Sequence, residues 1–489
     1  MPLARLLAAI ERIPPRRALL VLLLFHVAIH LRYLNLPPVG FHLWRQCDTL
    51  SVARNFYEQG MNFFEPRVDR CGVGSGVTGS EFPLVTYLMA LGYRAFGYGY
   101  WVQRLVVLLL SLIAVAGCFR FTQALLGSTL LAAASSLILV LSPLFVYYSV
   151  VAMPDVPMLG FLFLGLAGLT AWSRGSGTRH ALWGIGALGL GTLIKLSAAA
   201  AWPAALVLSL RGWGRSSGPQ RWIVAAAAAV AVAAVGAWYA HARALSEIHH
   251  SRIFLLSPMF PYPAAVVPRV LKREFLEWLP ELFLNYASFV WFAIGIASLG
   301  GSASVETRRF SLAYAVSLGG FMVAVLPMLE IHDYYMVAAL PLLVPIATLG
   351  FGRLWAAAAR RPAAALLAAT LLAAAVILGP IRGLSRLEGR RPPAGLETIA
   401  PALDRMIPDR RERVIAASDP SPDIFLYFMH RRGWSATSAV GAEEFEDMAA
   451  QGARYLISSS RDLETRPEIA HHLRQIGSHE RFNVFRIVR

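Results

Sequence analysis

Apolar residues occur in blocks along the first four fifths of the chain, separated by short polar segments. A block of about twenty apolar residues is long enough to cross a bilayer as a helix. Eleven such blocks can be marked: 18–34, 101–122, 129–150, 157–173, 181–197, 199–210, 222–241, 281–300, 310–329, 336–351 and 363–381. The pattern predicts a polytopic α-helical membrane protein with about eleven transmembrane helices.

Two polar loops are long, at about 35–100 and 242–280. The first contains a predicted helix from Asp48 to Gln59, closed by Gly60, because glycine is a favoured residue just after a helix. A second stretch, 82–96, is apolar and has Pro83 near its start. We expect it to form a helix that lies at the membrane surface.

The tail, 382–489, has a different pattern. Its apolar segments are short, and three of them predict strands: 414–418, 455–459 and 483–488. Between them, one predicted helix starts at Ser421-Pro422 and closes at Gly433, a second ends at Gly452 and a third ends near Gly477. We therefore divide the chain into a transmembrane domain, 1–381, and a small C-terminal α/β domain, 382–489.

Composition agrees with a membrane protein. Hydrophobic residues make up 56% of the chain, charged residues only 15%, and the mean hydropathy is +0.54. These values exclude a soluble globular protein and a disordered one. Of the 45 basic residues 43 are Arg, and the only lysines are Lys195 and Lys272.

The net charge of +16 comes from arginines in short loops, which is the positive-inside pattern and not a nucleic-acid-binding surface. The inner segments carry Arg5, Arg12, Arg16, Arg17, Arg120, Arg174, Arg179, Arg211, Arg215, Arg221, Arg308, Arg309, Arg353, Arg360 and Arg361. The N-terminus is then cytoplasmic, and an odd number of spans places the C-terminal domain outside. Of the 14 acids in 1–381, 12 fall in outer segments.

The segment from Phe41 to Thr49 follows the first span and combines acidic, basic and aromatic side chains. Asp48 can act as a general base on an acceptor hydroxyl, and Arg45 can hold a phosphate through paired hydrogen bonds. Gln46 lies between them and is a further candidate for substrate binding. Alternatively, Asp48 simply caps the helix that it begins.

Two further charged residues lie at predicted outer ends of spans. Asp155, in Met153-Pro154-Asp155-Val156-Pro157, is a candidate catalytic acid, although an acid is also stabilised by the positive end of a helix dipole. Lys195 can bind the phosphate of a lipid-linked substrate, or it can extend towards lipid headgroups.

The outer segment from Glu330 to Tyr335 contains His332 and Asp333, which are candidates for contacts to a sugar or a phosphate. Tyr335 is retained as a substrate-binding candidate, although Tyr334 and Tyr335 are typical membrane-interface anchors.

Glu81, with His249 and His250 of the other long loop, could form a metal site, but adjacent histidines rarely bind one ion together. Cys47 and Cys71 share a loop and could pair; Cys118 has no such neighbour, and no CxxC motif occurs.

The order of these features resembles the GT-C membrane glycosyltransferases. The closer similarity is to bacterial members of glycosyltransferase family 39, the protein O-mannosyltransferase-like group, and to the related lipid A aminoarabinose transferase. Asp48 matches the family's first-loop acid, but Thr49 follows where many members have a second acid. Asp155 matches the second acidic motif, and Gly189 to Lys195 resembles the family's glycine-rich run ending in lysine.

Glu81-Phe82-Pro83 resembles an acid-basic-proline stretch of the aminoarabinose transferase, with Phe82 replacing the basic residue. In that relative the glutamate and loop histidines are associated with a metal, which is why Glu81, His249 and His250 are considered.

The resemblance implies an inverting enzyme of the bacterial inner membrane that uses a polyprenyl-phosphate-linked sugar. Asp48 would take the acceptor's proton, while Arg45, Lys195 and His332 would stabilise the leaving phosphate. Asp155 would orient the surroundings of Asp48 or the acceptor. A lipid, glycan or protein acceptor is implied; no nucleic acid partner is expected and no cofactor is required beyond the possible divalent metal. The alternative is a lipid or sugar transporter or flippase without transferase activity, which would carry ionisable residues deep in its spans.

Overall fold

A computed structural model describes residues 13–251, 261–301, 303–436, 440–461 and 464–488. The predicted inner arginines Arg5 and Arg12, and residues 252–260 of the second long loop, lie outside the described residues. The described chain is mainly α-helical and contains a five-stranded sheet near its C-terminus.

Each of the eleven apolar blocks is largely helical. The helices up to residue 248 are α1 Pro15–His30, α2 Leu43–Gln59, α3 Leu84–Phe96, α4 Tyr100–Leu126, α5 Thr129–Val140, α6 Pro143–Tyr148, α7 Asp155–Ser173, α8 Thr178–Ile194, α9 Trp202–Arg215 and α10 Gly218–Ile248. The following helices are α11 Val266–Leu271, α12 Tyr286–Leu299, α13 Val305–Ala324, α14 Leu326–Leu329, α15 Leu340–Ala358 and α16 Pro362–Glu388.

Shorter helical segments connect some of these helices. Leu31–Tyr33, Leu196–Ala201 and Asp333–Ala339 form 3₁₀-helix, and Lys272–Phe283 forms π-helix.

Five helical segments among the described residues are long and apolar enough to cross a membrane: Tyr100–Leu126, Asp155–Ser173, Gly218–Ile248, Asp333–Ala358 and Pro362–Glu388. A sixth would be the pair Val266–Phe283 and Tyr286–Leu299, which is bent by 116°. The chain is therefore a multi-pass membrane protein, while the count of eleven spans stays a prediction.

One predicted span, 129–150, is broken into α5 and α6. Ser142 lies between the two helices, and its hydroxyl accepts a hydrogen bond from the backbone N–H of Phe145. Pro143 follows as the first residue of α6, a position where its missing N–H is not needed. A capping serine and a first-turn proline thus start a new helix inside an apolar block.

Burial separates the long helices into two kinds. In the 18-residue apolar segment of α7, 83% of the residues are buried. In the corresponding segments of α10 and α16, only 11% and 17% are buried. Apolar helices with so much exposed surface are stable only in an apolar solvent, which is the bilayer. α10 and α16 therefore present lipid-facing surfaces.

The chain forms two compact units. A membrane unit consists of Met1–Leu34, Arg104–Trp238 and Ser257–Leu387, and an outer-loop unit consists of Asn35–Gln103, Tyr239–Leu256 and Glu388–Arg489. The first long loop and the tail are thus parts of one compact unit.

Within the outer-loop unit, helices α2 and α3 pack together through a small apolar cluster that includes Val52, Phe56, Val68 and Ala90. The predicted closure of α2 at Gly60 is confirmed, and Gly60 has a φ of 115°. α3 begins directly after Pro83, as predicted.

The tail forms α17 Ile399–Met406, β1 Val414–Ala417, α18 Ile424–Met429, β2 Gly433–Ala436, α19 Ala442–Gln451, β3 Tyr455–Ser458, α20 Pro467–Ala470, β4 Leu473–His479 and β5 Phe482–Ile487. The sheet order is β2-β1-β3-β5-β4. β1 is parallel to β2 and β3, with Val414 opposite Gly433 and Tyr455, and β5 is antiparallel to β3 and β4.

The three predicted strands of the tail are confirmed, and two predicted helix ends are wrong. α18 ends at His430, which has a φ of 50°, and Gly433 opens β2 instead of closing the helix. The region around Gly477 is strand β4, because Leu473–His479 pairs with β5. β4 was not predicted as a strand because most of its residues are exposed, so it lacks the alternating apolar pattern of a half-buried strand.

Two glycines allow α12 and α15 to approach closely in the membrane unit. A Cβ on Gly350 would lie 1.8 Å from the carbonyl oxygen of Trp291, and one on Gly295 would lie 1.9 Å from that of Ile346. Without side chains the two backbones can meet, which is a common way for membrane helices to pack.

We expect Gly350→Ala and Gly295→Ala to lower the thermal unfolding midpoint in detergent by several degrees. The added methyl would force the helices apart, and overpacking costs about 1–3 kcal/mol. Gly319→Ala and Gly320→Ala in α13 are matched controls, because nothing lies within 4 Å of a Cβ there. Equal midpoints for all four variants would contradict the close approach.

Candidate functional site

Helix α2 carries the first candidate cluster. Arg45 and Asp48 lie three residues apart, so their side chains share one face of the helix, and the guanidinium contacts the Asp48 carboxylate. The same guanidinium donates to Glu81 over 2.5 Å. Asp48 is fully buried. The structure thus brings together Arg45, Asp48 and Glu81, with Arg45 held between two carboxylates.

The alternative role of Asp48 as a helix cap is wrong. α2 begins at Leu43, after His42 at a φ of 54°, so Asp48 lies inside the helix and not at its start. Burying an ionised acid inside a helix costs free energy unless an opposite charge lies beside it. Here the Arg45 guanidinium supplies that positive charge. Helix capping therefore does not explain why an acid occurs at position 48.

Only one oxygen of the Asp48 carboxylate has a hydrogen-bond partner among the described residues. Oδ2 contacts Arg45, whereas buried Oδ1 has no hydrogen-bond partner in the described segments. Burial raises the pKa of Asp48 to about 8, and Arg45 lowers it while Asp423 and Glu81 raise it. The unpartnered oxygen can accept a proton, and the carboxylate has a basicity suited to neutral or slightly alkaline pH.

Gln46 supports the segment before α2. Its side-chain amide donates to the carbonyl oxygens of Val39, over 2.8 Å, and of Phe41, over 3.0 Å. These contacts fix the loop that leads into α2.

The membrane unit contains the second cluster. Asp155 is the first residue of α7, and Lys195 directly follows α8 in extended conformation. Lys195 Nζ lies 2.5 Å from Asp155 Oδ1, and both side chains are buried. The same ammonium lies 4.3 Å from the ring centroid of Tyr334 and 5.3 Å from that of Tyr335. Three residues predicted from the sequence, Asp155, Lys195 and Tyr335, thus lie together.

Asp333 is the centre of a neighbouring buried network. Tyr148 donates to its Oδ1 over 2.5 Å, and Arg386 forms an ion pair with its other oxygen. The Arg386 guanidinium also lies 4.8 Å from the ring of Tyr147. The ring of His332 lies 5.1 Å from that of Tyr334, so His332 belongs to the aromatic group beside Lys195.

The metal hypothesis gains no support from the geometry. Among the described residues no three His, Cys, Asp or Glu side chains lie where they could hold an ion together. Glu81 is bonded to Arg45, and His249 and His250 are exposed. The three cysteines are free thiols, so Cys47 and Cys71 are not paired in this structure.

Sequence reasoning missed two groups of residues. Arg386 and Tyr148 complete the Asp333 network, and an arginine just past the last apolar block was the available signal for Arg386. Asp419 and Asp423 come soon after β1, and acids beyond the carboxyl end of a parallel strand are a recognised position for functional side chains.

We expect Lys195→Met to lower the stability of the membrane unit by about 3–5 kcal/mol, because it removes the cation beside a buried carboxylate. Lys272→Met is the control, since Lys272 is exposed. Adding Asp155→Asn should recover part of the loss, and detergent unfolding curves of single and double variants measure this coupling. Additive effects would show that the two groups do not interact.

With this geometry in view, the chain can be compared with known proteins. Residues 80–239, about a third of the chain, match the family described as dolichyl-phosphate-mannose-protein mannosyltransferase. No curated protein sequence is a match.

Several solved structures have the same fold. ArnT from Cupriavidus metallidurans in the apo state has a TM-score of 0.65 and 14% identity, covering 95% of this chain and 97% of that chain. ArnT bound to undecaprenyl phosphate has a TM-score of 0.64, 14% identity and coverages of 96% and 97%. The Archaeoglobus fulgidus oligosaccharyltransferase has a TM-score of 0.60, 13% identity and coverages of 92% and 70%.

Arabinofuranosyltransferase AftD from Mycobacteria has a TM-score of 0.62 and 16% identity, covering 97% of this chain and 40% of that chain. These structures and the family match confirm the resemblance given by the sequence: the chain has the membrane fold of the GT-C glycosyltransferases.

Proposed function

We propose that this protein is an inverting glycosyltransferase. It would move a sugar from a polyprenyl-phosphate-linked donor to an acceptor hydroxyl at the outer face of a bacterial inner membrane. The single observation that carries the proposal is Asp48, a buried carboxylate that contacts Arg45 through one oxygen, while its other oxygen has no hydrogen-bond partner among the described residues. The fold shared with ArnT, solved with undecaprenyl phosphate, supports a polyprenyl-linked donor.

In the proposed reaction Asp48 is the general base. The acceptor oxygen forms a bond to the anomeric carbon while its proton moves to Asp48 Oδ1. The bond between the anomeric carbon and the phosphate oxygen breaks, and polyprenyl phosphate leaves with the electron pair. One displacement inverts the anomeric centre. Arg45 keeps the carboxylate in one orientation, so little reorganisation is needed when the proton arrives.

The leaving phosphate is assigned to cationic groups. Lys195 is buried, and its ammonium is fixed by Asp155 and by the rings of Tyr334 and Tyr335. A preorganised cation stabilises the charge that develops on a leaving phosphate. Asp155 then acts by positioning Lys195, while His332 and Arg45 are further candidates for phosphate contacts. Asp333 holds Tyr148 and Arg386 in place.

The polyprenyl chain requires an apolar surface. The membrane unit contains a cavity of about 680 Å³ between α12, α13, α15 and the π-helix, lined almost entirely by apolar side chains. A chain of isoprene units would bury its apolar surface against this lining.

The topology is proposed from the arginine pattern. The N-terminus is cytoplasmic, 1–381 form the transmembrane domain and 382–489 lie outside as an extracytoplasmic domain. The rival transporter hypothesis is less well supported, because Asp155 and Lys195 lie at helix ends and not at the middle of a span.

We expect Asp48→Asn to lower transfer by about 10²–10⁴-fold, because the amide cannot accept the proton. The assay would supply undecaprenyl-phosphate mannose or undecaprenyl-phosphate arabinose, with envelope glycolipid extract as acceptor, and measure undecaprenyl phosphate release. Asp447→Asn, an exposed acid of the same unit, is the control. Full activity of the Asp48→Asn protein would refute the general-base assignment, and no release by the wild type would favour the transporter.

We also expect kcat/KM of the wild type to rise with pH and level off above about pH 8. Asp48 must be deprotonated to act as a base, and its pKa is raised to about 8, so activity is lost as pH falls through that value. Initial rates between pH 5.5 and 9.5 measure this. A flat profile would show that no group with such a pKa controls the reaction.

A further inference from the structure

A buried acid of the membrane unit, Glu274, has no hydrogen-bond partner among the residues that the structure describes. It lies in the π-helix Lys272–Phe283 and is only 1% exposed. Both of its carboxyl oxygens, Oε1 and Oε2, are buried and unpartnered within the described ranges. An acid in an apolar interior costs free energy unless it is hydrogen-bonded, so an acid kept in this state points to a ligand that satisfies it.

Glu274 lines the apolar cavity of about 680 Å³ in the membrane unit. The cavity follows α13 from Arg308 to Met322, through residues spaced as on one face of a helix. At the usual helical rise this stretch is about 20 Å long. The shape is that of an elongated cavity with two ends, and Glu274 and Arg308 are charged residues of its lining.

Glu274 lies at the end of the cavity where α13 finishes. Its neighbour Arg273 donates to the backbone carbonyl oxygen of Glu330. Glu330 follows α14, and α14 comes directly after α13 in the chain. Arg308 lies in the first turn of α13. The carboxyl group and the guanidinium therefore belong to opposite ends of the cavity.

The end that carries Glu274 adjoins the cation to which the leaving phosphate is assigned. The segment Asp333–Ala339 packs against the π-helix and contributes Met336 to the cavity lining. The same segment places the ring centroid of Tyr335 5.3 Å from Lys195 Nζ. With the polyprenyl chain in the cavity and its phosphate towards Lys195, the sugar on that phosphate lies at the end of the cavity that Glu274 lines.

We propose that Glu274 binds the sugar of the lipid-linked donor through two neighbouring hydroxyl groups. This inference rests on the proposed function, since it takes the cavity as the site of the polyprenyl chain. Each unpartnered carboxyl oxygen can accept a hydrogen bond from one hydroxyl, and adjacent ring hydroxyls are spaced closely enough to reach both oxygens. The phosphate is a poorer partner, because an ionised carboxylate repels it. The donor sugar is thus expected to carry a vicinal diol.

The stability of the ligand-free protein separates this role from a structural one. We expect Glu274→Leu to leave the thermal unfolding midpoint in detergent unchanged or to raise it, because leucine needs no hydrogen bond in an apolar cavity. A midpoint lowered by several degrees, or failure of the variant to fold, would show that Glu274 supports the fold and would overturn the proposal.

The binding test compares two lipids that differ only in the sugar. Undecaprenyl-phosphate mannose and undecaprenyl phosphate are titrated calorimetrically into the full-length protein in detergent. We expect Glu274→Leu to weaken binding of the mannose lipid by about 10–100-fold, because two hydrogen bonds to the carboxyl group are lost. Binding of undecaprenyl phosphate should not change. Glu277→Gln is the matched control, since Glu277 is an exposed acid of the same π-helix.

Donor analogues that lack one hydroxyl identify the contact. In the wild type, removal of either hydroxyl of the bound pair should weaken binding, whereas Glu274→Leu should bind these analogues and the complete donor equally. Equal weakening of both lipids in Glu274→Leu, or the same losses for the analogues in both proteins, would overturn the proposal. These results are measured by binding alone, while full transfer by Asp48→Asn would overturn the proposed function, so the two failures can be told apart.

Discussion

The cost of burying a charged side chain organises both units of this protein. In an apolar interior an ionised group is stable only beside an opposite charge or several hydrogen-bond partners. In the membrane unit, two buried pairs meet this requirement, Asp155 with Lys195 and Asp333 with Arg386. Each pair ties together segments far apart in sequence, so breaking it would leave a buried charge and loosen the packing of several helices at once.

The outer-loop unit meets the same requirement less completely. Arg54 and Asp69 form a buried pair, but Arg45 is shared between Asp48 and Glu81. Among the described residues, the ion-pair contact of Asp423 is a long one, to Arg70. An imperfectly compensated carboxylate is unfavourable for folding and useful for chemistry, because it retains affinity for a proton. Asp48 is the clearest example: it lies in a helix interior where no structural role as a cap requires it.

The sequence predicted the helix and strand boundaries that local residue preferences set. It did not predict contacts between residues far apart in the chain. Gly60 as the end of α2, Pro83 as the entry to α3 and the strands at 414 and 455 follow from local preferences. The pairing of Arg386 with Asp333 joins residues 53 positions apart, and no local pattern encodes such a contact. β4 was missed for the same reason, since its exposed residues are held by hydrogen bonds to β5 and not by a buried face.

The sequence by itself determined that this chain is a membrane protein, where its apolar segments lie and which isolated charges are unusual, because hydrophobic length and charge placement are local properties. Only the tertiary structure decided that Lys195 pairs with Asp155, that Arg45 is clamped between Asp48 and Glu81, and that the tail belongs with the first loop. Those facts depend on which helices pack, and packing is set by complementary shapes and charges across long stretches of chain.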